Sequence, residues 1–155
     1  MSKSADELTV RPAVSSDRDQ FLALWTGWQD HMGGRVPDEV TARSWNALLV
    51  PGTGLICLLV CADDRALGFA MLSSTFFAWT GEDILYLQDL FITPEARGRG
   101  VGGRLLKGIY DHADSIKARQ VFWMVDEDDP ELQAFYGGKA VRSPYLRYLR
   151  HPWPW

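Results

Sequence analysis

The chain has 155 residues, 46% of them hydrophobic and 23% charged, with a net charge of −4 and a pI near 5.3. That length and balance suit one globular domain, residues 1–155, around a single core, and they exclude a disordered or collagen-like chain. The acidic balance argues against general nucleic-acid binding, and the longest apolar run, Gly54 to Ala62, is far short of the roughly twenty residues that span a bilayer.

The opening MSKSADEL carries no apolar signal-peptide core, so a cytoplasmic protein is expected. Residues 8–12 read as a first strand closed by Pro12, and Ser15, Ser16 and Asp17 offer capping side chains for a helix. Phe21, Leu22, Leu24, Trp25, Trp28 and Met32 then recur at helical spacing until Gly33 and Gly34 stop the pattern. A second helix should begin at Pro37, Asp38 and Glu39, turn Val40, Trp45, Leu48 and Leu49 inward, and end before Pro51. Leu55 to Ala62, Leu67 to Phe77 and Ile84 to Ile92 read as three strands joined by polar turns, an antiparallel meander. Cys57 and Cys61 lie on one strand about 13 Å apart at strand rise, beyond disulfide reach, and are expected to be buried apolar fillers. His31, His112 and His151 are scattered, and no spacing of ligand-type residues suggests a metal site.

Beyond Ile92 comes a turn opened by Pro94 and then the loop Arg97-Gly98-Arg99-Gly100-Val101-Gly102-Gly103, which runs directly into an amphipathic helix. Such a loop clears side chains from a ligand's path and aims successive N–H groups at one point, where the helix dipole favours an anion. Arg97, Arg99, Arg104 and Lys107 add four positive charges with no acid among them. Phosphate is the natural guest. The helix presents Leu105, Leu106, Ile109, Tyr110, Ala113 and Ile116 on one side, and Gln120 to Val125 reads as a buried strand. Strand, helix and strand predict a parallel pair with a right-handed crossover. Asp126 to Asp129 is acidic, Pro130 opens a short helix through Tyr136, and Val141 to Arg150 reads as a closing strand. Alternate prolines after His151 end any ladder. The fold class is therefore α/β, with a mixed, mostly antiparallel sheet flanked by helices.

The stretch LQDLFITPEARGRGVGGRLL resembles the strand, loop and helix of motif A of the GNAT N-acetyltransferases, with Arg97, Gly100 and Gly102 at the positions that mark the pyrophosphate loop. The resemblance implies a GNAT fold whose parallel strand pair is splayed around acetyl-CoA by a bulge near Asp89 and Leu90. It implies pantetheine contacts from the backbone of Leu90, Phe91 and Ile92, and pyrophosphate contacts from Arg97, Gly98, Arg99, Gly100, Val101, Gly102 and Gly103. Asp129, seven residues before Tyr136, stands where motif B has Asn. Tyr136 is then the group that stabilises the departing thiolate, and Asp89 the base that takes a proton from the amine. Tyr86 to Phe91 is similar to the polyamine acetyltransferase subgroup, except that Gln88 replaces its first acid.

Gln88, Trp28 and Asp126 are assigned to the substrate, although Trp25, Trp28 and Trp45 suit core packing better than a pocket wall and an acidic run such as 126–129 is more often a solvated loop. The function implied is acetyl transfer from acetyl-CoA, without a metal, to a small primary amine by direct attack in a ternary complex, in a homodimer paired through C-terminal strands. Two alternatives stand beside it. Gln88 and Asp129 would suit a non-catalytic CoA-binding module, and Gly98, Gly100 and Gly103 followed by Asp126 also spell a dinucleotide fingerprint.

Overall fold

A computed structural model describes residues 7–151. The chain divides after Phe122 into two compact units. The first contains β1 (Thr9–Pro12), α1 (Arg18–Met32), α2 (Asp38–Leu48), β2 (Leu55–Ala62), β3 (Arg65–Phe77), β4 (Glu82–Ile92), α3 (Val101–Ser115) and β5 (Gln120–Phe122). The second contains α4 (Pro130–Gly137). The strands lie in the order of the sequence, antiparallel from β1 to β4 and parallel from β4 to β5. This is the mixed α/β sheet expected, with the meander and the crossover helix in place.

Helix boundaries follow local chemistry. Gly33 closes α1 in the left-handed region at φ 68°, and its N–H donates to Asp30 O. Asp38 and Glu39 fill the first turn of α2, where the helix dipole favours acids. Ser15–Asp17 form a separate 3-10 turn ahead of α1. Asp17, only 4% exposed, accepts the Val14 N–H at 2.8 Å and two guanidinium bonds from Arg11, at 2.7 and 2.8 Å.

Strand alternation sorts the core into two faces. Cys57, Leu59, Cys61, Phe69, Met71 and Phe91 meet Phe21, Leu24 and Trp45 of α1 and α2. Leu58, Val60, Ala70, Leu72, Leu85 and Leu87 turn to the opposite face, where α3 packs through Leu105, Leu106 and Ile109. Each fully buried side chain of this kind contributes roughly 2 kcal/mol of transfer free energy. Trp25 adds an α1–α2 tie, its indole N–H donating to Thr41 Oγ1 at 3.1 Å.

One irregularity matters for function. Met71 pairs with Asp89 but Leu72 pairs with Leu87, so Gln88 is an extra residue on β4. Without it, Asp89 and Phe91 would share the α3 face with Leu85 and Leu87. With it, their parity reverses and both turn toward α1. The bulge lies one residue before Asp89, beside the position expected.

Four expectations are corrected. Leu49 and Ile116 each fall one residue past their helices and are exposed. The strand expected from Gln120 to Val125 is three residues long and half-exposed. As an edge strand it pairs with β4 alone, and that ladder ends at Tyr86 and Phe122, where the two rings stack with centroids 5.1 Å apart. No strand forms over 141–150, where Tyr145, Leu146 and Tyr148 are 88%, 81% and 89% exposed. The second unit shows no strand among its described residues to pair with, so strand-forming residues there have no ladder to join. Trp153 to Trp155 lie outside the described residues. Cys57 and Cys61 are buried and free as expected, and burial pushes the Cys57 thiol up to about 12.

Candidate active site

The end of β4 is pinned before the loop begins. Thr93 N–H donates to Leu67 O at 2.9 Å, and Pro94–Ala96 form a 3-10 turn. Arg97 folds back over the strand, its Nε–H donating to Ile92 O at 3.0 Å and its guanidinium lying 5.7 Å from the Phe91 ring centroid. The intervening turn also separates the glycines from their strand, unlike a dinucleotide loop that follows its strand at once.

Gly98 and Gly100 hold φ of 71° and 77°, the left-handed region that L side chains rarely adopt. Above Gly98 a Cβ would meet no atom within 4 Å, so the loop surface is open there. The first helical bond of α3 runs from Arg104 N–H to Gly100 O at 2.9 Å. The N–H groups of Val101, Gly102 and Gly103 therefore have no intrahelical carbonyl, and the first turn carries no acid. These donors fit a pyrophosphate.

The charge is less concentrated than the sequence suggests. Arg104 turns away to donate from Nε to Leu8 O at 3.2 Å, and Lys107 pairs with Asp111 one helical turn on, at 2.8 Å. Among the described residues Arg99 alone of the four cations makes no hydrogen bond or ion pair. The Lys107–Asp111 pairing was readable from its i,i+4 spacing.

Asp89, half-buried, is the carboxylate of this region. Trp28 Nε1–H donates to its Oδ1 at 3.0 Å. Burial raises the carboxyl above its ordinary value, and the Trp28 bond opposes that rise. The indole belongs to a three-ring cluster with His31, stacked at 5.7 Å and 27°, and Phe91 at 6.2 Å, those two lying 6.5 Å from each other. Phe91 in turn lies against Gly27, where a Cβ would come within 3.0 Å of its ring. The sequence does not mark His31 and Gly27 as neighbours of this carboxylate outright. Two signals were available: the i,i+3 spacing of Trp28 and His31, and a glycine in mid-helix that costs about 1 kcal/mol against alanine. Gln88, the bulge residue, is exposed beside them.

In the second unit, Tyr136 packs its ring against Trp123 and Phe135, each with centroids 4.9 Å away. Asp129 is the N-cap of α4, its Oδ1 accepting Leu132 N–H at 2.9 Å. Asp126 shapes the turn before it, its Oδ1 accepting Asp128 N–H at 3.0 Å. Both acids are thus occupied locally. No group of three or more His, Cys, Asp or Glu among the described residues could hold a metal ion, and no described helix is long and apolar enough to cross a membrane.

The sequence model of the acetyltransferase (GNAT) family matches residues 19–139. The chain is 26% identical over 148 residues to the D-amino-acid N-acetyltransferase HPA3 of Saccharomyces cerevisiae, covering 94% of this chain and 92% of the relative. It is 30% identical over 129 residues to the uncharacterized N-acetyltransferase YhfO of Bacillus subtilis, covering 83% and 86%. A crystal structure described as a probable acetyltransferase superposes with a TM-score of 0.81 at 21% identity, covering 93% and 97%. With its meander, its crossover and its glycine loop at a helix N-terminus, the chain belongs to the GNAT acetyltransferase family and is an N-acetyltransferase.

Proposed function

We propose that the enzyme transfers the acetyl group of acetyl-CoA to a small primary amine by direct attack in a ternary complex. The observation that carries this reading is Asp89, a half-buried carboxylate on the strand that leads into an open anion-binding loop. The similarity to a D-amino-acid N-acetyltransferase supports a small amine. The family match crosses both compact units, which supports one catalytic domain.

In this reading the loop from Arg97 through Gly103 holds the pyrophosphate on the N–H groups at the start of α3. The backbone of Leu90, Phe91 and Ile92 holds the pantetheine, beyond the last β4–β5 pair at Tyr86 and Phe122. Acetyl-CoA supplies an activated acyl carbon. Asp89 takes the proton that the ammonium must lose, and its raised affinity for protons makes it a better base than an exposed aspartate. As the C–N bond forms and the C–S bond breaks, Tyr136 hydrogen-bonds the leaving thiolate and relays to it the second proton lost by the nitrogen, so that the sulfur ends as the thiol while Asp89 returns its proton to solvent. Gln88 borders the acceptor beside the Trp28-bonded Asp89, and the C-terminal segment, exposed over 141–150, pairs with a second copy of the chain. The local caps made by Asp129 and Asp126 favour positioning of α4 over direct contacts to cofactor or substrate.

The test is release of free CoA thiol against a panel of amino acids, diamines and larger amines. One or more small primary amines should be turned over, and Tyr136→Phe should lower kcat at least about tenfold with CoA affinity within twofold. A silent panel, or a Tyr136→Phe enzyme at full rate, overturns the respective assignment.

A further inference from the structure

Three independent features converge where α1 crosses the end of β4. The Gln88 bulge turns Asp89 and Phe91 toward α1. Gly27 opens the helix surface so that the Phe91 ring can lie directly against it. Trp28, the next residue, bridges 61 positions of sequence to reach Asp89 Oδ1 at 3.0 Å. A tryptophan offers a single donor, and this one is spent on the carboxylate. Its ring cannot swing freely, since His31 stacks on it and Phe91 lies beside it. Phe91 is braced in turn by Phe69 at 6.3 Å and by the Arg97 guanidinium.

An ordinary pocket wall would present its face or its polar edge to the substrate. Here the polar edge faces the base. We propose that Trp28 is a positioning residue, whose indole N–H fixes one oxygen of Asp89 so that the other is presented to the acceptor amine. The assignment rests on Asp89 acting as the base of the proposed reaction. It differs from a substrate contact because Trp28 acts through Asp89, and removing Asp89 removes its effect. Of the charged and titratable groups around the pair, His31 on α1 stacks on the Trp28 indole and Arg97 after β4 lies over the neighbouring Phe91 ring, while β3 faces Asp89 with Met71. An indole N–H stabilises the ionised carboxylate, so its loss makes Asp89 hold its proton to higher pH.

The first test needs no turnover. The Trp28 indole N–H resonance in a 15N-labelled enzyme should move with pH as Asp89 titrates, and should lose that movement in Asp89→Asn. A resonance that ignores Asp89→Asn overturns the proposal. The second test is kinetic. Trp28→Phe keeps a ring in place but removes the donor, and kcat should fall about tenfold. The KM for acetyl-CoA should stay within twofold, and the acid limb of kcat/KM for the amine should move up by about one pH unit. In an Asp89→Asn background, Trp28→Phe should slow the enzyme no further. Additive losses, or a changed amine KM with an unmoved acid limb, would make Trp28 a substrate wall and overturn the positioning role. If no amine is turned over, the acetyl-transfer reading fails by itself, and the resonance still decides whether Trp28 holds Asp89.

Discussion

Asp17 and Asp89 are both carboxylates largely withdrawn from water, and their partners send them in opposite directions. Asp17 is gripped by the Arg11 guanidinium and the Val14 N–H, which hold it below its ordinary value of 3.8 against the opposing effect of burial. Asp89 has a neutral indole donor, too weak to offset burial, and is raised. The first arrangement favours a permanent charge that stabilises the fold. The second favours a group ready to accept a proton. Because the folded state depresses Asp17, its contribution is full above the ordinary carboxylate range and fades as pH falls through about 3.8 toward the folded value. Asp17→Ala should therefore lose about 2 kcal/mol at pH 7 in urea unfolding, less than a fully buried pair because Arg11 stays partly exposed. The gap between variant and wild type should narrow by pH 3. At this scale the sequence is legible where the partner is local, as with Lys107 and Asp111. Trp28 and Asp89 escape it because only the folded sheet brings residues so distant in sequence within 3.0 Å.

At the scale of elements, α1 is both a core helix and a support for the site. Phe21 and Leu24 bury against the sheet, while Gly27, Trp28 and His31 engage the end of β4. Gly27 marks the crossover between these duties. Replacing it with alanine should gain helix propensity of about 1 kcal/mol and lose a similar amount by crowding the Phe91 ring, a contact of 3.0 Å that Phe69 and Arg97 prevent from relaxing freely. Thermal unfolding of Gly27→Ala should therefore sit within a few degrees of wild type, while kcat/KM for the amine falls several-fold. The glycine loop and its helix were plain in the sequence because the chemistry of an anion site is written in consecutive residues. The bulge was expected only through the family resemblance, since Gln88 has nothing in its side chain that announces an unpaired backbone. The strand expected at 141–150 failed for a related reason: residue preferences describe a willing strand but cannot supply its neighbour.

At the scale of the molecule, that unsupplied neighbour has a natural source. Tyr145, Leu146, Tyr148 and Leu149 expose apolar surface on a segment without a ladder, and such segments are covered in stable proteins by pairing or packing. Light scattering of the full chain should give twice the monomer mass of 17.5 kDa, and Tyr145→Asp with Tyr148→Asp should shift it to the monomer. A wild-type monomer at micromolar concentration would remove the dimer from the reading. The extra residue in β4 has a further effect on how this protein can change. Before Gln88 the side chains of Leu85 and Leu87 serve the packing of α3, and after it those of Asp89 and Phe91 face α1, so one strand serves two separable layers. Substitutions at 89 and 91 therefore act on the α1 face and leave the layer built on Leu85 and Leu87 untouched. Deleting Gln88 alone, with every other residue kept, would put all four side chains on one face and send a carboxylate into the hydrocarbon beneath α3.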